Sequence, residues 1–591
     1  MTDKNTNNKL ISKLFLAREQ FILIGLTGRT GSGCTTAANI LENASPEFPE
    51  SSFIRYKSEN YFKNLDSKRY EILRNYATAN WNSFFSIKVS DLISGYLLNL
   101  EAEEVVSFIA HYTPENKEIP IEKISQIVKT GSFGKNLLTK SHVSKSGLRY
   151  KEYHDLILNH DKEINGQAID SNAFVKYLRL IRKFTRDFKK DLISLETGLY
   201  VSVYQAAGNS IRKTGKVQFD YQSADFDPAS VFHLPATINR VVKCLRKSQS
   251  KVFIVIDAIR NQHEARYFRD RYSAFYLISI NAPEQDRNEY LQHVHKFNVD
   301  QLNAIDLKES GKTSDEHGYF ISQNVKKCIE ISDIHIFNPR NEIDNSNILK
   351  AQLAWYVALM LHPGLVPPTA MERTMQIAYS AKSNSGCISR KVGAVITNAD
   401  NSVQAIGWND VPQGQAPCVL RSIDGALNSF DEIDYSIYER TNSDFRQKLT
   451  EKKQALNNHK DDLDGRNCSY CFKDVKNSID SKENQVHTRS LHAEENAFLQ
   501  ITKYGGVGIS GGKLYTTASP CELCSKKAYQ LGIKQVIFID PYPGISKDHI
   551  LGIGSNMPDL VQFRGAVGRG YHQLYDSTID YKDELALLSE S

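Results

Sequence analysis

The sequence predicts an α/β protein in two parts: a parallel sheet carrying a helical insertion, followed by a three-layer α/β/α sandwich. Three observations predict it. Short apolar runs rich in β-branched residues alternate with helical stretches in both halves, as strands covered on both faces do. A glycine-rich turn joins the first of these strands to a helix. The polar stretch 338–347 (NPRNEIDNSN) interrupts the alternation and marks a boundary. The expected domains are 1–345, with the helical insertion at about 60–245, a linker helix and bridge at 346–369, and 370–591.

The first strand is read at Phe21–Leu26 (FILIGL), running into the glycine-rich turn and a helix at Thr35–Leu41. Buried strands follow at Lys251–Asp257, Ala274–Ile280 and Ile334–Phe337, each bounded by turn formers or charges. Between the first two strands the chain is charged and helical in period. After the boundary come an apolar helix, Leu349–Leu361, and the bridge HPGLVPPT. The second part then reads helix (Ala370–Ala381), strand (Val392–Thr397) and strand (Val403–Trp408). A long polar stretch to Arg489 precedes helix (His492–Lys503), strand (Lys513–Thr517), helix (Cys521–Leu531) and strand (Gln535–Asp540).

Composition excludes several classes. Among 591 residues, 41% are hydrophobic and 24% charged, the usage of a folded chain rather than a disordered one. The net charge of +5 is too small to argue for nucleic-acid binding by itself. The longest apolar run, near Ala351–Leu361, is about half the ~20 residues of a spanning helix, so no membrane partner is expected. The polar start, MTDKNTNNKLISKLF, has no apolar leader core, and nine cysteines are too sparse for a disulfide scaffold. The expected compartment is the reducing cytoplasm, where clustered thiols hold metals or do chemistry.

The decisive residues are His492-Ala493-Glu494 and Pro520-Cys521-Glu522-Leu523-Cys524. One imidazole and two thiolates leave zinc a fourth tetrahedral position for water, the mark of a catalytic site. Cys521 and Cys524 are three apart at a helix start, so both sulfurs face one way and the helix dipole favours thiolate. Glu494 is two residues beyond the histidine, placed to move a proton rather than to bind metal. The pattern H-x-E followed at a distance by P-C-x-x-C is the zinc-deaminase signature. Each piece alone reads as half a structural zinc site or a helix start. Together, with a strand between them and 25 residues from Glu494 to Pro520, they read as deaminase chemistry.

On these residues, Arg373–Tyr542 resembles the deoxycytidylate deaminase family. Cys387–Ile396 (CISRKVGAVI) is similar to the family's first strand, and Gly407-Trp408-Asn409-Asp410-Val411-Pro412 to its Gly-Tyr-Asn-Gly-x-Pro loop. The resemblance implies that Asn409 binds the nucleotide. Trp408 and Asp410 depart from the pattern, and Gly-Trp-Asn is also carried by tRNA adenosine deaminases. Gln413–Leu491 then inserts 79 residues before the histidine, which resembles enzymes that close over a free nucleotide and argues against an open polynucleotide groove. Within it, Cys468-Ser469-Tyr470-Cys471 joins Cys387 and Cys418 as four thiols sufficient for a second, structural zinc, with His487 as a substitute ligand. The alternative is four unrelated buried thiols. Beyond the last strand, Tyr542 offers a ring to stack on a pyrimidine, and Arg564 and Arg569 offer phosphate contacts, or else form an ordinary glycine-rich turn.

In the amino-terminal part, Gly28-Arg29-Thr30-Gly31-Ser32-Gly33-Cys34-Thr35-Thr36 follows a strand and opens a helix, as a P-loop does. Gly28, Gly31 and Gly33 free the backbone to wrap phosphate. Thr35 stands where a Mg²⁺-coordinating hydroxyl would, Thr36 follows it, and Asp257 ends a strand as a Walker-B acid does. Cys34 replaces the lysine, so phosphoryl transfer should suffer most. Asp257–Asn261 and Ser332–Asn338 resemble nucleotide-kinase motifs. The open alternatives are binding of an NTP with Mg²⁺ without catalysis, a structural scaffold, or an active kinase. The whole combination resembles bacterial antiphage deoxycytidine-nucleotide deaminases. That resemblance implies conversion of dCTP, dCMP or both, a homo-oligomer, and in some relatives a silencing small RNA. Lys176–Lys190, with seven Lys/Arg among Tyr177, Phe184 and Phe188, is the candidate RNA contact or else a solvated helix face. An RNA-binding protein or polynucleotide cytosine deaminase, and a bifunctional nucleotide kinase–deaminase, are the alternative functions.

Overall fold

A computed structural model of the chain describes residues 4–113, 119–135, 145–164, 168–311, 317–340, 345–428, 431–457, 460–506, 508–540 and 546–589. It divides into two compact units, Met1–Pro367 with Arg569–Ser591, and Pro368–Gly568.

The first unit is built on five parallel strands: β1 (Phe21–Thr27), β2 (Phe85–Lys88), β3 (Val252–Asp257), β4 (Phe275–Asn281) and β5 (Ile334–Phe337). They lie in the order β5-β4-β1-β3-β2. Every residue of β3 and β4 is buried, which is why these runs read as continuously apolar. The four-residue strand β2 lies inside the stretch expected to be helical. It is too short to show a period, and it takes its place by pairing alongside β3.

Most of the expected insertion is helical, and its longest helix is Ser171–Leu195. Phe174, Tyr177, Ile181, Phe184 and Phe188 recur at helical spacing and are buried. Tyr177, Phe184 and Phe188 are therefore core residues with no face to stack on RNA bases, which corrects that reading of Lys176–Lys190.

Helix Asn345–Leu361 is mostly apolar and largely buried from Ile348 onward, and it belongs to this unit, as does the segment Arg569–Ser591. Two tethers explain the return of the chain end: a buried His362 Nε2–Glu584 Oε1 contact at 2.9 Å, and Arg569, whose guanidinium donates to the carbonyls of Arg269, Tyr272 and Ser273. The expected domain limits of 345, 369 and 591 differ from this division. An apolar helix and a terminal segment gave no local sign of the unit they pack into. Arg569 is spent on a helix end and does not serve a phosphate.

The second unit is a mixed five-stranded sheet: β6 (Gly393–Thr397), β7 (Val403–Trp408), β8 (Lys513–Ala518), β9 (Gln535–Asp540) and β10 (Asp559–Gln562), in the order β10-β9-β8-β6-β7. β8–β9 and β9–β10 are parallel, while β8–β6 and β6–β7 are antiparallel. Alternation along the strands makes two cores. Ala394, Ile396, Leu514 and Val536 face helices Ala493–Tyr504 and Glu522–Gln530 through Ala493, Ala497, Phe498 and Ala528. Val395, Tyr515 and Ile537 face helix Ala370–Ala381 through Met375 and Ala378. This is the three-layer sandwich the alternating pattern predicts.

The long insertion leaves and returns at one neck, where the Leu491 N–H donates to the Asp410 carbonyl at 2.8 Å. Closing the chain there lets 79 residues form their own core of Ile423, Tyr435, Phe445, Leu449, Tyr470 and Val475 without disturbing the sheet. Among the described residues no helix is long and apolar enough to cross a membrane.

Candidate metal centre and active site

Two helix starts and one strand end build the site. His492 is the N-cap of helix Ala493–Tyr504, and its N–H donates to Glu495 Oε2 at 3.4 Å. Gly407 lets that helix lie on β7, because a Cβ there would sit 2.2 Å from the Ala493 carbonyl oxygen. Asn496 Nδ2 then donates to the Trp408 carbonyl at 3.0 Å, fastening helix to strand. Cys521 is the N-cap of helix Glu522–Gln530 and Cys524 lies in its first turn.

The three expected ligands converge. His492 Nδ1 lies 3.2 Å from Cys521 Sγ and 3.5 Å from Cys524 Sγ. Their donor atoms all fall within 4.8 Å of one another, the only such group of three or more His, Cys, Asp or Glu side chains among the described residues. Tetrahedral zinc with its usual bond lengths would place the nitrogen and each sulfur about 3.6 Å apart, so the donor set fits that ion. The protons of the trio tell the same story. The Cys521 thiol is held down to about 3, first by the hydrogen bond with Cys524 and further by His492. Cys524 is pushed up, as the donor of that bond and by burial, and His492 is raised by its bond to Cys521. Cys521 is thus a thiolate already, and the proton kept by Cys524 is one a divalent cation displaces.

Glu494, 4% exposed, sits beside the trio. Burial holds its carboxyl above the ordinary range. Thr516 Oγ1 lies 3.0 Å from Glu494 Oε1 and 2.8 Å from the Ala518 carbonyl oxygen. A hydroxyl has one proton, so when Thr516 donates to the carbonyl its lone pair can accept from protonated Glu494. Thr516 was not among the expected site residues. Its signal was period two: it shares the face of Leu514 on β8, four residues before Pro520.

Asn409 is buried at the end of β7. Its Oδ1 accepts from the Val392 N–H and its Nδ2 donates to the Arg390 carbonyl, both at 2.7 Å. Arg390 in turn pairs at 2.6 Å with Asp540, a fully buried carboxylate at the end of β9. Tyr542 lies outside the described residues.

The four thiols expected to hold a second zinc are not assembled as a ligand set. No three of Cys387, Cys418, Cys468 and Cys471 bring their sulfurs within 4.8 Å of one another. His487 faces Asp480 at 3.9 Å. Between the two cysteines of the CSYC stretch, Tyr470 turns into the core, where its hydroxyl donates to Glu439 at 2.6 Å and accepts from Arg421 at 2.8 Å. A buried ion pair, Arg421–Glu439, holds the insertion where thiolates were expected to.

In the other unit, the glycine-rich turn adopts the conformation its sequence asks for. Gly28, Gly31 and Gly33 all have positive φ. Cys34 opens helix Cys34–Glu42 with Thr35 and Thr36 in its first turn, and Thr35 Oγ1 donates to Asp257 Oδ2 at 3.0 Å. Burial, then the Asp257 carboxylate, pushes the Cys34 thiol up to about 12, so it stays neutral.

Residues 368–540 match the family model described as the cytidine and deoxycytidylate deaminase zinc-binding region. The deoxycytidylate deaminase of Enterobacteria phage T2 is 27% identical over 168 residues, 28% of this chain and 78% of that protein. That of Enterobacteria phage T4 is 28% identical over 169 residues, 28% of this chain and 76% of the relative. The solved dCMP deaminase of cyanophage S-TIM5 aligns with 34% of this chain and 100% of its own, at 20% identity and a TM-score of 0.19.

Proposed function

We propose that the 368–568 unit is a zinc-dependent hydrolytic deaminase of deoxycytidine nucleotides, releasing ammonia and leaving the deoxyuridine nucleotide. One observation carries this reading: Nδ1 of His492 and the sulfurs of Cys521 and Cys524 converge beside the buried carboxyl of Glu494. Zinc bound by those three donors supplies Lewis acidity toward a water molecule. Glu494 accepts a proton from that water at a carboxylate oxygen and delivers it to the ring nitrogen next to the amine-bearing carbon. The same carboxyl takes the second proton of the water to the departing amine. Cytosine thus gains one oxygen and loses ammonia. A carboxyl raised by burial suits both halves of the shuttle, since it takes up a proton more readily than an ordinary carboxylate and can still hand it on.

Asn409 engages the 390–392 segment through one amide hydrogen and one lone pair. The second hydrogen and second lone pair of its amide are the groups assigned to the nucleotide. The phage relatives are named for deoxycytidylate, which favours dCMP as substrate, with dCTP as the second nucleotide of the same reading. The neck at Asp410 and Leu491 supports a small substrate over a polynucleotide, because the insertion stands at the edge of the strand that carries Asn409. Depletion of the deoxycytidine nucleotide pool against phage is the biological role that fits this chemistry. The test is zinc-loaded chain offered dC, dCMP, dCTP, CTP and single-stranded DNA, with ammonia and uracil products followed. Turnover of a deoxycytidine nucleotide but not DNA supports the reading; turnover of DNA alone, or of none, contradicts it.

A further inference from the structure

The glycine-rich loop of the amino-terminal unit already holds an anion, and the anion belongs to the chain. Glu309, 3% exposed, is the last residue of helix Val299–Glu309. Its carboxylate accepts from the Thr30 backbone N–H at 3.2 and 3.1 Å and from Thr30 Oγ1 at 2.5 Å. It also pairs with Arg260, whose Nη1 lies 3.1 Å from Thr30 Oγ1. A backbone N–H, a hydroxyl and a guanidinium closing on one carboxylate are the partners a phosphate oxygen takes at such a loop.

Arg260 also answers the question posed by Cys34. The neutral thiol supplies no charge where a P-loop lysine would. Arg260 enters from the segment just beyond β3 and lies close enough to Cys34, Asp257 and Glu309 to interact electrostatically with each. A cation beside the loop is therefore supplied from another strand end.

The segment bearing Glu309 is held to the loop mainly by charge. Asp306, one turn earlier, pairs with Arg29 of the loop at 2.6 Å and with Arg287, which itself donates to the Thr30 carbonyl at 2.7 Å. Its apolar anchors are few, Leu302 and Ile305, while Val299 and Leu307 are exposed. After Glu309 the chain passes through Gly311 in the left-handed region, φ 75°. Two carboxylates facing a polyphosphate would be repelled by it, and the arginines they hold would be released to it.

We propose that the loop is a nucleoside-triphosphate site in which Arg260 replaces the missing lysine and Glu309 occupies the phosphate position until nucleotide displaces it, freeing helix Val299–Glu309. This inference concerns the amino-terminal unit and does not rest on the deamination reading. The probe is MgATP, whose base is not a cytosine, titrated into the full chain. Replacing Glu309 with Gln is expected to tighten ATP about tenfold or more, the worth of one competing charge-assisted hydrogen bond. Adding Arg260→Gln to that variant is expected to abolish the gain. A wild-type measurement stands beside the variants: hydrogen exchange under saturating MgATP should slow at 28–36 and quicken at 299–311. Affinity unchanged by Glu309→Gln overturns the proposal, as does exchange at 299–311 that stays the same or slows.

Discussion

Thr516 is the residue on which the proton-carrying role of Glu494 leans. It is the one hydroxyl within hydrogen-bond reach of Glu494 Oε1 among the described contacts, and it sits on a strand rather than a loop. Replacing it with Val keeps the shape and removes the partner. The expected outcome is a fall in kcat of about tenfold with KM and bound zinc nearly unchanged, because one buried hydrogen bond is lost and the ligands are untouched. Steady-state kinetics with metal analysis checks it, and a loss of zinc in this variant would speak for a structural role instead. His492, Glu494, Cys521 and Cys524 are legible because ligand chemistry demands rare residue types at short spacing. Thr516 is not, because a threonine in a strand is ordinary until a carboxyl is seen beside it. Asn409 was legible as a motif residue, but its grip on Arg390 and Val392 comes from a loop no periodicity describes.

At the scale of elements, two buried polar clusters make opposite demands. In the helical part of the first unit, His154 lies between Tyr177, whose hydroxyl is 3.1 Å from Nδ1, and Asn99, whose Oδ1 is 2.9 Å from Nε2. The neutral tautomer with its proton on Nε2 satisfies both partners, and burial lowers the imidazole from 6.5 to about 4. The unfolded imidazole takes a proton as pH falls below 6.5 while the folded one does not until about 4. Acid therefore favours unfolding across that window, by about 3 kcal/mol in full. The expected result is that His154→Gln flattens the fall in stability between these pH values relative to wild type in denaturant titrations. In the insertion, Glu439 and Arg421 are both essentially inaccessible. Glu439→Ala strands a buried guanidinium and should cost about 3 kcal/mol of stability, whereas Cys468→Ser should cost little, since the four thiols are not gathered as a ligand set among the described residues. Thermal unfolding of the two variants side by side distinguishes a core held by an ion pair from one held by thiolates. Strands with clear flanking turns were readable to within a residue or two. β2 was not, because four residues among helices show no period, and its place is set by pairing with β3.

The whole molecule joins two units that each present a loop opening into a helix start, one equipped for a metal and the other closed by its own carboxylate. Their separate cores explain why the two halves could be read independently from sequence, while the home of residues 569–591 could not: short terminal helices carry no record of which unit they will join. In the proposed function three side chains hold zinc and a fourth, Glu494, moves protons without holding it. The measurement that tests it most directly is zinc content together with ammonia release in the full chain carrying Glu494→Ala, with dCMP as substrate. The expected result is one zinc per chain retained and ammonia release reduced by about a thousandfold or more. Wild-type turnover in that variant, or loss of its zinc, would contradict the assignment.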